Sequence, residues 1–403
     1  MIQLMPLEDV CEDIIDCPHE SPEWLDSGIP IIRNFNLVNG VFDFTEAYYV
    51  DEETYRQRVR RAVPTGGDII FSREAPIGNC AIVPDNFKCC LGQRLVLLRA
   101  NKEICSSEYL LTVLMSGFVK KQIEQIAKSG SIVSNFNIGD LKKLQIPVIE
   151  KYEGAAKLAQ LINKKRVNNI SIADKYERLA NYVYKYWFVQ FDFPNSEGKP
   201  YKSSGGEMIW SEELGYEIPR GWEVKKLGDL LYENNTSISP DENIPTLDLS
   251  VMPSNRISQF TINDSDNFET NLFEMRRGDL LFGSIRPYLK KAGFAPCNGA
   301  VAGTVHSFRA KEEDYNFFAL VTLCSELMFK YAIKNSKGTK MPVIGADDLL
   351  EFKLPFNKEI ARKFNSYNYM NQVTNLIDEN HSLERITDYL VPLLMTEQVE
   401  AVV

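Results

Sequence analysis

Residues 276–295 read RRGDLLFGSIRPYLKKAGFA, and residues 66–83 contain a related stretch, GGDIIFSREAPIGNCAIV. In both stretches a Gly-Asp turn precedes a short apolar run, which is a common entry into a buried strand. A single match of this kind is weak evidence, because such turns are frequent in proteins. Four other pairs of landmarks, however, occur in the same order along the chain.

The paired landmarks predict an internal duplication. LEDV from Leu7 matches LGDL from Leu227, and the dipeptide at Arg99 matches the dipeptide at Arg309. Near the end of each copy, SGSIV…GDLKKLQIP matches KGTKM…DDLLEFKLP, and ERLANYV matches ERITDYL. The distance between partners shrinks smoothly from 220 residues (227 minus 7) to 207 residues (384 minus 177). Five ordered matches with a smoothly changing offset are not expected by chance.

Each copy ends in a segment with the three-four apolar spacing of a coiled coil. In the first copy the stripe occupies Ala155, Leu158, Ile162, Lys165, Asn169, Ile172, Tyr176, Leu179, Val183 and Tyr186. In the second copy it includes Tyr369, Leu376, Leu383, Ile386, Leu390 and Leu393, interrupted at Gln372 and Glu379. Polar interruptions such as Lys165 and Asn169 usually fix the register of paired helices.

A single helix of this length would leave its apolar stripe in water, so we expect the two helices to pair with each other. A globular domain lies between them in the chain, which favours antiparallel pairing with the domains at opposite ends. The alternative is that each helix packs only on its own domain. The expected fold is mixed α/β (α+β), with two strand-rich domains separated by two long antiparallel helices that form a coiled coil, and with a pseudo-two-fold duplication.

The same patterns predict domain boundaries. The first globular domain is expected at 1–150, the central helix at 151–190, a linker at 191–222, the second globular domain at 223–356 and the C-terminal helix at 357–403. Pro, Gly and Ser crowd the first half of the linker, which predicts a solvated connector.

Composition limits the class of protein. A chain of 403 residues with 44% hydrophobic side chains exceeds what one core usually serves, so more than one domain is expected. The N-terminus has no signal-peptide pattern and no apolar run reaches membrane-spanning length, so we expect a cytoplasmic protein. The eight cysteines form no C-x-x-C pair and the three histidines are scattered, which predicts reduced thiols and no zinc site.

The net charge of the chain is unfavourable for nucleic-acid binding, but the distribution of its basic residues is favourable. The chain has 45 basic and 55 acidic side chains, a net charge of −10, whereas phosphate binding requires positive charge. Basic residues nevertheless cluster on or near the duplicated motifs. Four arginines lie within YRQRVRR at 55–61, five basic residues lie within 276–291, and four lysines without an acid lie within 329–345.

The linker FDFPNSEGKPYKSSGG followed by IPRGWEVKKLGD, together with the twice-occurring motifs and closing helices, resembles the specificity (S) subunit of type I restriction-modification systems. The first copy departs from the pattern because it begins at MIQLMPLEDV without the P-x-GWE entry of the second. The resemblance implies two target-recognition domains that each read half of a split DNA site, with two helices fixing their separation. It also implies a non-catalytic subunit that docks methyltransferase (modification) subunits and, through them, restriction subunits. S-adenosylmethionine would bind the methyltransferase subunit, and ATP and Mg²⁺ the restriction subunit, with no cofactor on this chain.

Candidate DNA contacts follow from residue chemistry, because Arg or Lys pairs with guanine and Asn or Gln with adenine in the major groove. In the first copy they are Arg56, Arg58, Arg60, Arg61, Ser72, Arg73, Asn79, Gln93 and Arg94. In the second copy they are Arg276, Arg277, Ser284, Arg286, Lys290, Lys291, His306 and Lys340. The small-residue stretches Ser129-Gly130-Ser131 and Lys337-Gly338-Thr339 suit phosphate, since Gly lets backbone N–H groups approach closely. The alternatives are core-facing or phosphate-facing roles for the first two sets, ordinary solvated faces for the runs of basic residues, and plain turns for the small-residue stretches.

The sequence lacks the motifs of three classes of enzyme that act on DNA. A methyltransferase acting alone would need an Asn/Asp-Pro-Pro-aromatic loop for a flipped base, and a nucleotide-driven motor would need G-x-x-x-x-G-K-[ST]. A nuclease would need clustered carboxylates for metal ions. None of these occurs in convincing form, so we expect no catalysis. The remaining alternative is a duplicated scaffold that binds proteins through its coiled coil and does not read DNA.

Overall fold

The computed structural model describes residues 2–18, 20–38, 40–44, 47–74, 77–129, 136–149, 153–239, 244–264 and 271–395. The chain forms two compact units. The first comprises residues 1–168 with 381–403, and the second comprises residues 169–380.

The strands and helices of the first unit follow in chain order. They are β1 (Ile2–Pro6), α1 (Leu7–Val10), β2 (Cys11–Asp16), β3 (Ile29–Ile32), β4 (Leu37–Val38), β5 (Val41–Phe42), β6 (Tyr48–Val50), α2 (Glu52–Arg58), β7 (Ile69–Ser72), β8 (Cys80–Ile82), β9 (Cys90–Leu91), β10 (Leu95–Ala100), α3 (Ser107–Met115), α4 (Gly117–Ser129), α5 (Ile138–Lys142) and β11 (Gln145–Ile149). The long helix α6 (Glu153–Tyr184) follows and continues as a π-helical turn, Lys185–Val189.

The later elements begin with a hairpin. They are β12 (Met208–Ser211), β13 (Tyr216–Pro219), β14 (Glu223–Lys226), α7 (Leu227–Leu230), β15 (Leu231–Glu233), β16 (Ser237–Ile238), β17 (Pro245–Leu247), β18 (Asn263–Asp264), β19 (Leu272–Met275), β20 (Leu280–Gly283), β21 (Ala292–Phe294), β22 (Gly299–Ala302), β23 (Val305–Ala310), α8 (Asn316–Leu323), α9 (Glu326–Asn335), α10 (Ala346–Leu350), β24 (Lys353–Phe356), α11 (Lys358–Asn365) and α12 (Tyr369–Met395).

Several sheets of the first unit have counterparts in the second, which agrees with the predicted duplication. The first has a four-stranded sheet in the order β2-β10-β7-β8, and the second has β15-β23-β20-β21. The antiparallel pair β1·β11 has its counterpart in β14·β24, and the parallel pair β3·β9 in β17·β22. In the first unit, most residues of strands β7 to β10 are buried. In the second unit, the same holds for most residues of the equivalent strands β20 to β23. The Gly-Asp motifs therefore do begin buried strands.

The Gly-Asp motif has a structural purpose that explains its pairing with the Arg-Ala motif. The buried carboxylate of Asp68 accepts hydrogen bonds from Arg99 at 2.8 and 2.9 Å. In the second unit, the carboxylate of Asp279 accepts from Arg309 at 2.8 and 3.1 Å. The preceding glycines, Gly67 and Gly278, have φ of 90° and 89°, a turn conformation that favours glycine. Each motif thus builds a turn whose aspartate is neutralised by an arginine of the adjacent strand.

The long helices α6 and α12 contact each other through residues that interrupt their apolar stripes. Within the second unit, Nδ2 of Asn169 donates to Oε2 of Glu379 at 2.8 Å and to Oδ1 of Asn380 at 2.9 Å. In the first unit, Nη2 of Arg166 on α6 lies 3.3 Å from Oε1 of Glu384 on α12. Partner numbers fall as α6 residue numbers rise, so the pairing is antiparallel, as predicted. Packing of each helix only on its own domain is therefore the wrong alternative.

The C-terminal segment consists of two helices, whereas the sequence predicted one long helix from 357. Helix α11 ends at Asn365 and α12 begins at Tyr369. Between them Asn368 has φ of 53°, a left-handed conformation that interrupts a right-handed helix and that Asn adopts more readily than most residues.

The linker 191–222 is folded onto the second unit at its aromatic start, whereas residues 194–206, where Pro, Gly and Ser are concentrated, are exposed or half-buried. Phe191 and Phe193 are buried, and their rings lie 5.5 and 5.2 Å from the ring of Trp222. The carboxylate of Asp192 accepts hydrogen bonds from the backbone N–H and the hydroxyl of Ser203 at 2.7 and 2.6 Å. The Gly and Ser residues allow tight turns here, while the aromatic residues supply apolar area that burial removes from water.

All eight cysteines are free thiols, as expected, and six of them are buried. Desolvation raises the pKa of Cys80 and Cys105 to about 12, so these thiols are unreactive packing residues. Among the described residues, no single helix is long and apolar enough to cross a membrane. The pair Glu313–Leu323 and Glu326–Asn335, bent by 65°, meets that test by length and composition alone.

Candidate nucleic-acid interface

In the second unit, two basic stretches that are distant in sequence lie side by side. The backbone N–H of Arg286, in the loop after β20, donates to the carbonyl of Pro342 at 2.7 Å. The N–H of Ile344 donates to the carbonyl of Ser284 at 3.0 Å. Lys337 and Val343 exchange backbone hydrogen bonds at 2.8 and 2.9 Å, forming a hairpin whose turn includes Gly338 at φ 102°. The loop and the hairpin thus form one surface.

This surface exposes cations and an aromatic ring. The Lys337 side chain is 86% exposed and lies 3.9 Å from Asp348, and Thr339 and Lys340 are also exposed. Arg286 has φ of 51°, and its buried Nε has no hydrogen-bond partner among the described residues. Tyr288, in the turn after Arg286, is half exposed. Cations of this kind suit phosphates or base edges.

Other candidates in the second unit are engaged inside the protein. The buried Ser284 hydroxyl donates to the carbonyl of Thr304 at 2.9 Å. Nζ of Lys291 donates to the carbonyl of Leu249, and desolvation lowers the pKa of this lysine. The ring of His306 lies 2.9 Å from Oε1 of Glu233 and 3.0 Å from the carbonyl of Ile344. Ser284, Lys291 and His306 therefore each have a partner inside the protein, which favours a structural role, and their contact with DNA stays a prediction.

The remaining cations of the second unit form ion pairs with exposed or partly exposed carboxylates. Lys290 pairs with Glu326, Arg276 with Glu274 at 3.0 Å, and Arg277 with Asp378. Asp378 belongs to α12, so Arg277 ties the Gly-Asp turn to the long helix. Pairs of this kind are weak and exchangeable, so these cations stay candidates.

In the first unit, the loop after β7 meets the loop before β10. The backbone N–H of Arg73 donates to the carbonyl of Arg94 at 2.9 Å. Nη2 of Arg73 lies 3.0 Å from Asp16, and Nε of Arg94 lies 2.6 Å from Glu74. The Arg94 side chain is 57% exposed, whereas that of Arg73 is 15% exposed. Gln93 precedes Arg94 and donates to the hydroxyl of Ser21 at 2.9 Å.

Two further candidates of the first unit have partners inside the protein, which favours a structural role, and their contact with DNA stays a prediction. The buried Arg58 donates to the carbonyls of Leu91, Glu20 and Pro18 at 2.9, 2.9 and 3.2 Å. The buried Ser72 hydroxyl donates to the carbonyl of Glu74 at 2.7 Å. Both side chains satisfy buried backbone carbonyls, which is the commoner fate of such residues.

The other candidates of the first unit occupy different places. Arg56, Arg60 and Arg61 are exposed on and after α2. Asn79 lines a small cavity of about 90 Å³ together with Arg166 and Glu384 of the long helices. Ser129 is the last residue of α4, while Gly130 and Ser131 lie outside the described residues.

The sequence interpretation did not single out Arg33, which the fold surrounds with aromatic rings. Its guanidinium carbon lies 5.2 Å from the ring centre of Trp24, 4.9 Å from that of Phe35 and 5.1 Å from that of Tyr48. No local pattern marks this cluster, because Trp24 and Tyr48 are brought to Arg33 by the fold of the chain. Among the described residues, no group of three His, Cys, Asp or Glu side chains is arranged to hold a metal ion.

Comparison with known proteins indicates the class of this protein. The family model for the type I restriction modification DNA specificity domain matches residues 2–174. The type I restriction enzyme MjaIX specificity subunit of Methanocaldococcus jannaschii is 25% identical over 374 residues, which are 86% of this chain and 80% of that protein. The putative MjaX specificity subunit of the same organism is 31% identical over 212 residues, 51% of this chain and 47% of that protein.

A solved structure, the S subunit of a type I restriction-modification system from M. genitalium, aligns with a TM-score of 0.48 at 14% identity, covering 97% of this chain and 95% of that one. The family model and the curated relatives indicate a DNA-specificity protein. More particularly, the chain is similar over 86% of its length to a specificity subunit of a type I restriction-modification system, and both curated relatives are specificity subunits. The alternative of a scaffold that does not read DNA has no support from these relatives.

Proposed function

We propose that this chain reads a bipartite DNA site, with each unit recognising one half. The proposal rests on one observation: equivalent loops of the two units share a backbone arrangement but have different side chains. The hydrogen bond from Arg73 N–H to the carbonyl of Arg94, at 2.9 Å, has its counterpart from Ser284 to Thr304, also at 2.9 Å. Two loops of one design thus present two different sets of side chains, as the reading of two different DNA words requires.

We further propose that the methyltransferase subunits dock on the long helices. The sequence places Tyr176, Leu179 and Tyr186 in the stripe of α6 that should pair with the other long helix, but the structure exposes these three side chains by 37%, 56% and 40% and buries Ala173, Ala180 and Tyr184 instead. Together with Tyr182, which is 71% exposed, they lie along α6 and its π-helical turn at spacings of three or four residues. An apolar stripe of this kind on a charged protein is typical of a protein-protein interface. The methyltransferase subunit docked there would bind S-adenosylmethionine, and the restriction subunit would bind ATP and Mg²⁺. This chain would bind none of the three. The complex would act on DNA in the cytoplasm.

The negative net charge supports dependence on partners. With 55 acidic against 45 basic side chains, this chain by itself has little long-range attraction for DNA. The bound methyltransferase subunits would then supply much of the contact with phosphates, leaving the loops of the two units to read base edges.

The test is a selection of duplexes with random sequence by the chain in complex with its methyltransferase subunit. We expect enrichment of one motif made of two fixed words separated by a constant gap. The Arg286→Met variant should alter one position of the second unit's word and leave the other word unchanged. Arg220→Met, which removes an exposed arginine 2.8 Å from Glu207, is the matched control and should leave both words unchanged. Enrichment of no motif, or of one continuous word, would contradict the proposal.

A further inference from the structure

Arg33 lies directly after β3, at a position where the two copies of the duplicated domain differ in charge. Strands β3 and β9 pair with Ile32 opposite Leu91, and the equivalent strands of the second unit pair with Leu247 opposite Val301. The residue that follows is Arg33 in the first unit and Asp248 in the second. Asp248 accepts hydrogen bonds from Ser250 at 2.7 Å and Asn263 at 3.1 Å, so its surroundings are polar rather than aromatic. One backbone position thus carries opposite charges in two different settings.

The guanidinium of Arg33 has aromatic neighbours in place of carboxylates. Among the described residues, the guanidinium nitrogens of Arg33 take part in no ion pair and donate no side-chain hydrogen bond, although Asp and Glu outnumber Lys and Arg in the chain. Stacking against rings holds a guanidinium through its face and leaves its in-plane N–H donors without an acceptor. Trp24, which forms one wall, is 38% exposed, so the cluster lies at the surface.

Arg33 also adjoins the loop that carries other candidate DNA contacts. The N–H of Gly92 donates to the carbonyl of Ile32 at 2.7 Å. A Cβ at Gly92 would lie 2.6 Å from that carbonyl oxygen and 3.3 Å from Cγ of Arg33, so this close approach requires glycine. Gln93 and Arg94 follow immediately. Arg33 therefore adjoins a loop whose next two residues have the chemistry to contact bases.

We propose that Arg33 is a specificity-determining residue that reads a guanine in the half-site recognised by the first unit. Its aromatic neighbours orient the planar guanidinium, and two of its N–H donors contact O6 and N7 of that guanine. This inference rests on the proposed reading of a bipartite site. It adds the residue, the base and the reason for the aromatic cluster.

The test uses the same selection from random duplexes, with the chain in complex with its methyltransferase subunit. Arg33→Met keeps an aliphatic chain among the rings but removes the donors, and it should lower the preference for guanine at one position by about 5- to 100-fold. Arg33→Lys keeps the positive charge but loses the planar pair of N–H donors, so it should give an intermediate preference for guanine. Arg220→Met is again the matched control for the loss of an arginine.

The second half-site is an internal control for folding and assembly. If Arg33 reads guanine, the Met variant loses one letter of the first word while the second word is selected as before. Affinity lowered equally for all sequences, with both words intact, would mean a phosphate contact and would overturn the inference. Unchanged selection would assign Arg33 a purely structural role and would also overturn it. If the Met variant does not fold, the Lys variant decides between the same outcomes, and failure of the unsubstituted complex to select two words would count against the proposed function instead.

Discussion

At the scale of single residues, the duplicated motifs are chiefly devices of folding. Asp279 is 4% exposed and accepts from the backbone of Arg276 at 2.8 Å as well as from Arg309. Asp68 has the same arrangement with Thr65 and Arg99. The carboxylate fixes the turn and the arginine neutralises it. The most similar residues of the two copies are therefore those that hold the strands, while the side chains of the following loops diverge.

The Arg309→Met substitution should destabilise the second unit strongly. It leaves the buried Asp279 carboxylate without its cation, which typically costs about 3–5 kcal/mol. Urea unfolding followed by tryptophan fluorescence measures the change, since Trp222 lies in the core of this unit. The control is Arg362→Met, which removes an exposed ion pair 2.9 Å long with Asp314 and should cost at most about 1 kcal/mol. Equal effects of the two substitutions would contradict a structural role for the Asp-Arg pair.

At the scale of elements, the long helix α6 is joined to the second unit by a buried carboxyl group. Oε2 of Glu177 accepts a hydrogen bond from the N–H of Ile257 at 3.0 Å, and the neighbouring Asp174 pairs with Arg256 at 2.9 Å. Desolvation raises the pKa of Glu177 to about 7, with a further contribution from Asp174 and opposing contributions from the backbone hydrogen bonds and Arg256.

The Glu177→Gln substitution should stabilise the second unit more at pH 8 than at pH 5. The folded protein holds the proton of Glu177 to higher pH than the unfolded chain, so stability falls as pH rises from the ordinary carboxyl range through about 7. Removing the ionisable group should therefore produce a gain that is roughly 2 kcal/mol larger at pH 8. Urea unfolding at the two pH values gives the difference. A gain from Glu177→Gln that is the same at both pH values would contradict the raised pKa of Glu177.

Paired helices also depend on polar residues within their apolar stripes. Asn169 and Glu379 interrupt the two stripes in the sequence, and in the structure they are hydrogen-bonded to each other. A one-turn slip would separate this pair and leave buried polar groups without partners, which is unfavourable in a low-dielectric interior. The interruptions therefore select one register, as the sequence pattern indicated.

At the scale of the whole molecule, helix length is predicted to set the gap between the two DNA words. Helix α6 spans 32 residues, or ~48 Å at 1.5 Å per residue. Removing one heptad from α6 and the matching heptad from α12 shortens the pair by ~10 Å, roughly three base pairs of a duplex whose turn is 34–36 Å. We expect the selected gap to shrink while both words stay the same. Deletion from only one helix is the control and should abolish selection, whereas a change of letters after the matched deletion would refute the spacer.

The sequence by itself determined the duplication, the strand entries and the paired helices. These features follow from repeated letters and from apolar spacing, and both act locally: a Gly-Asp turn or a three-four stripe favours the same backbone wherever it occurs. Even the polar interruptions at Asn169 and Glu379 were visible as breaks in a local pattern.

Only the tertiary structure decided which of the polar and charged side chains are available to a ligand. Arg58, Ser72, Ser284, Lys291 and His306 have the chemistry of DNA contacts, yet each is engaged inside the protein. Arg33, which no local pattern marks, is instead held at the surface by rings from separate parts of the chain. The physical reason is that the partner of a polar side chain is set by contacts between residues far apart in sequence. Local spacing fixes the backbone, but it does not fix what each side chain meets.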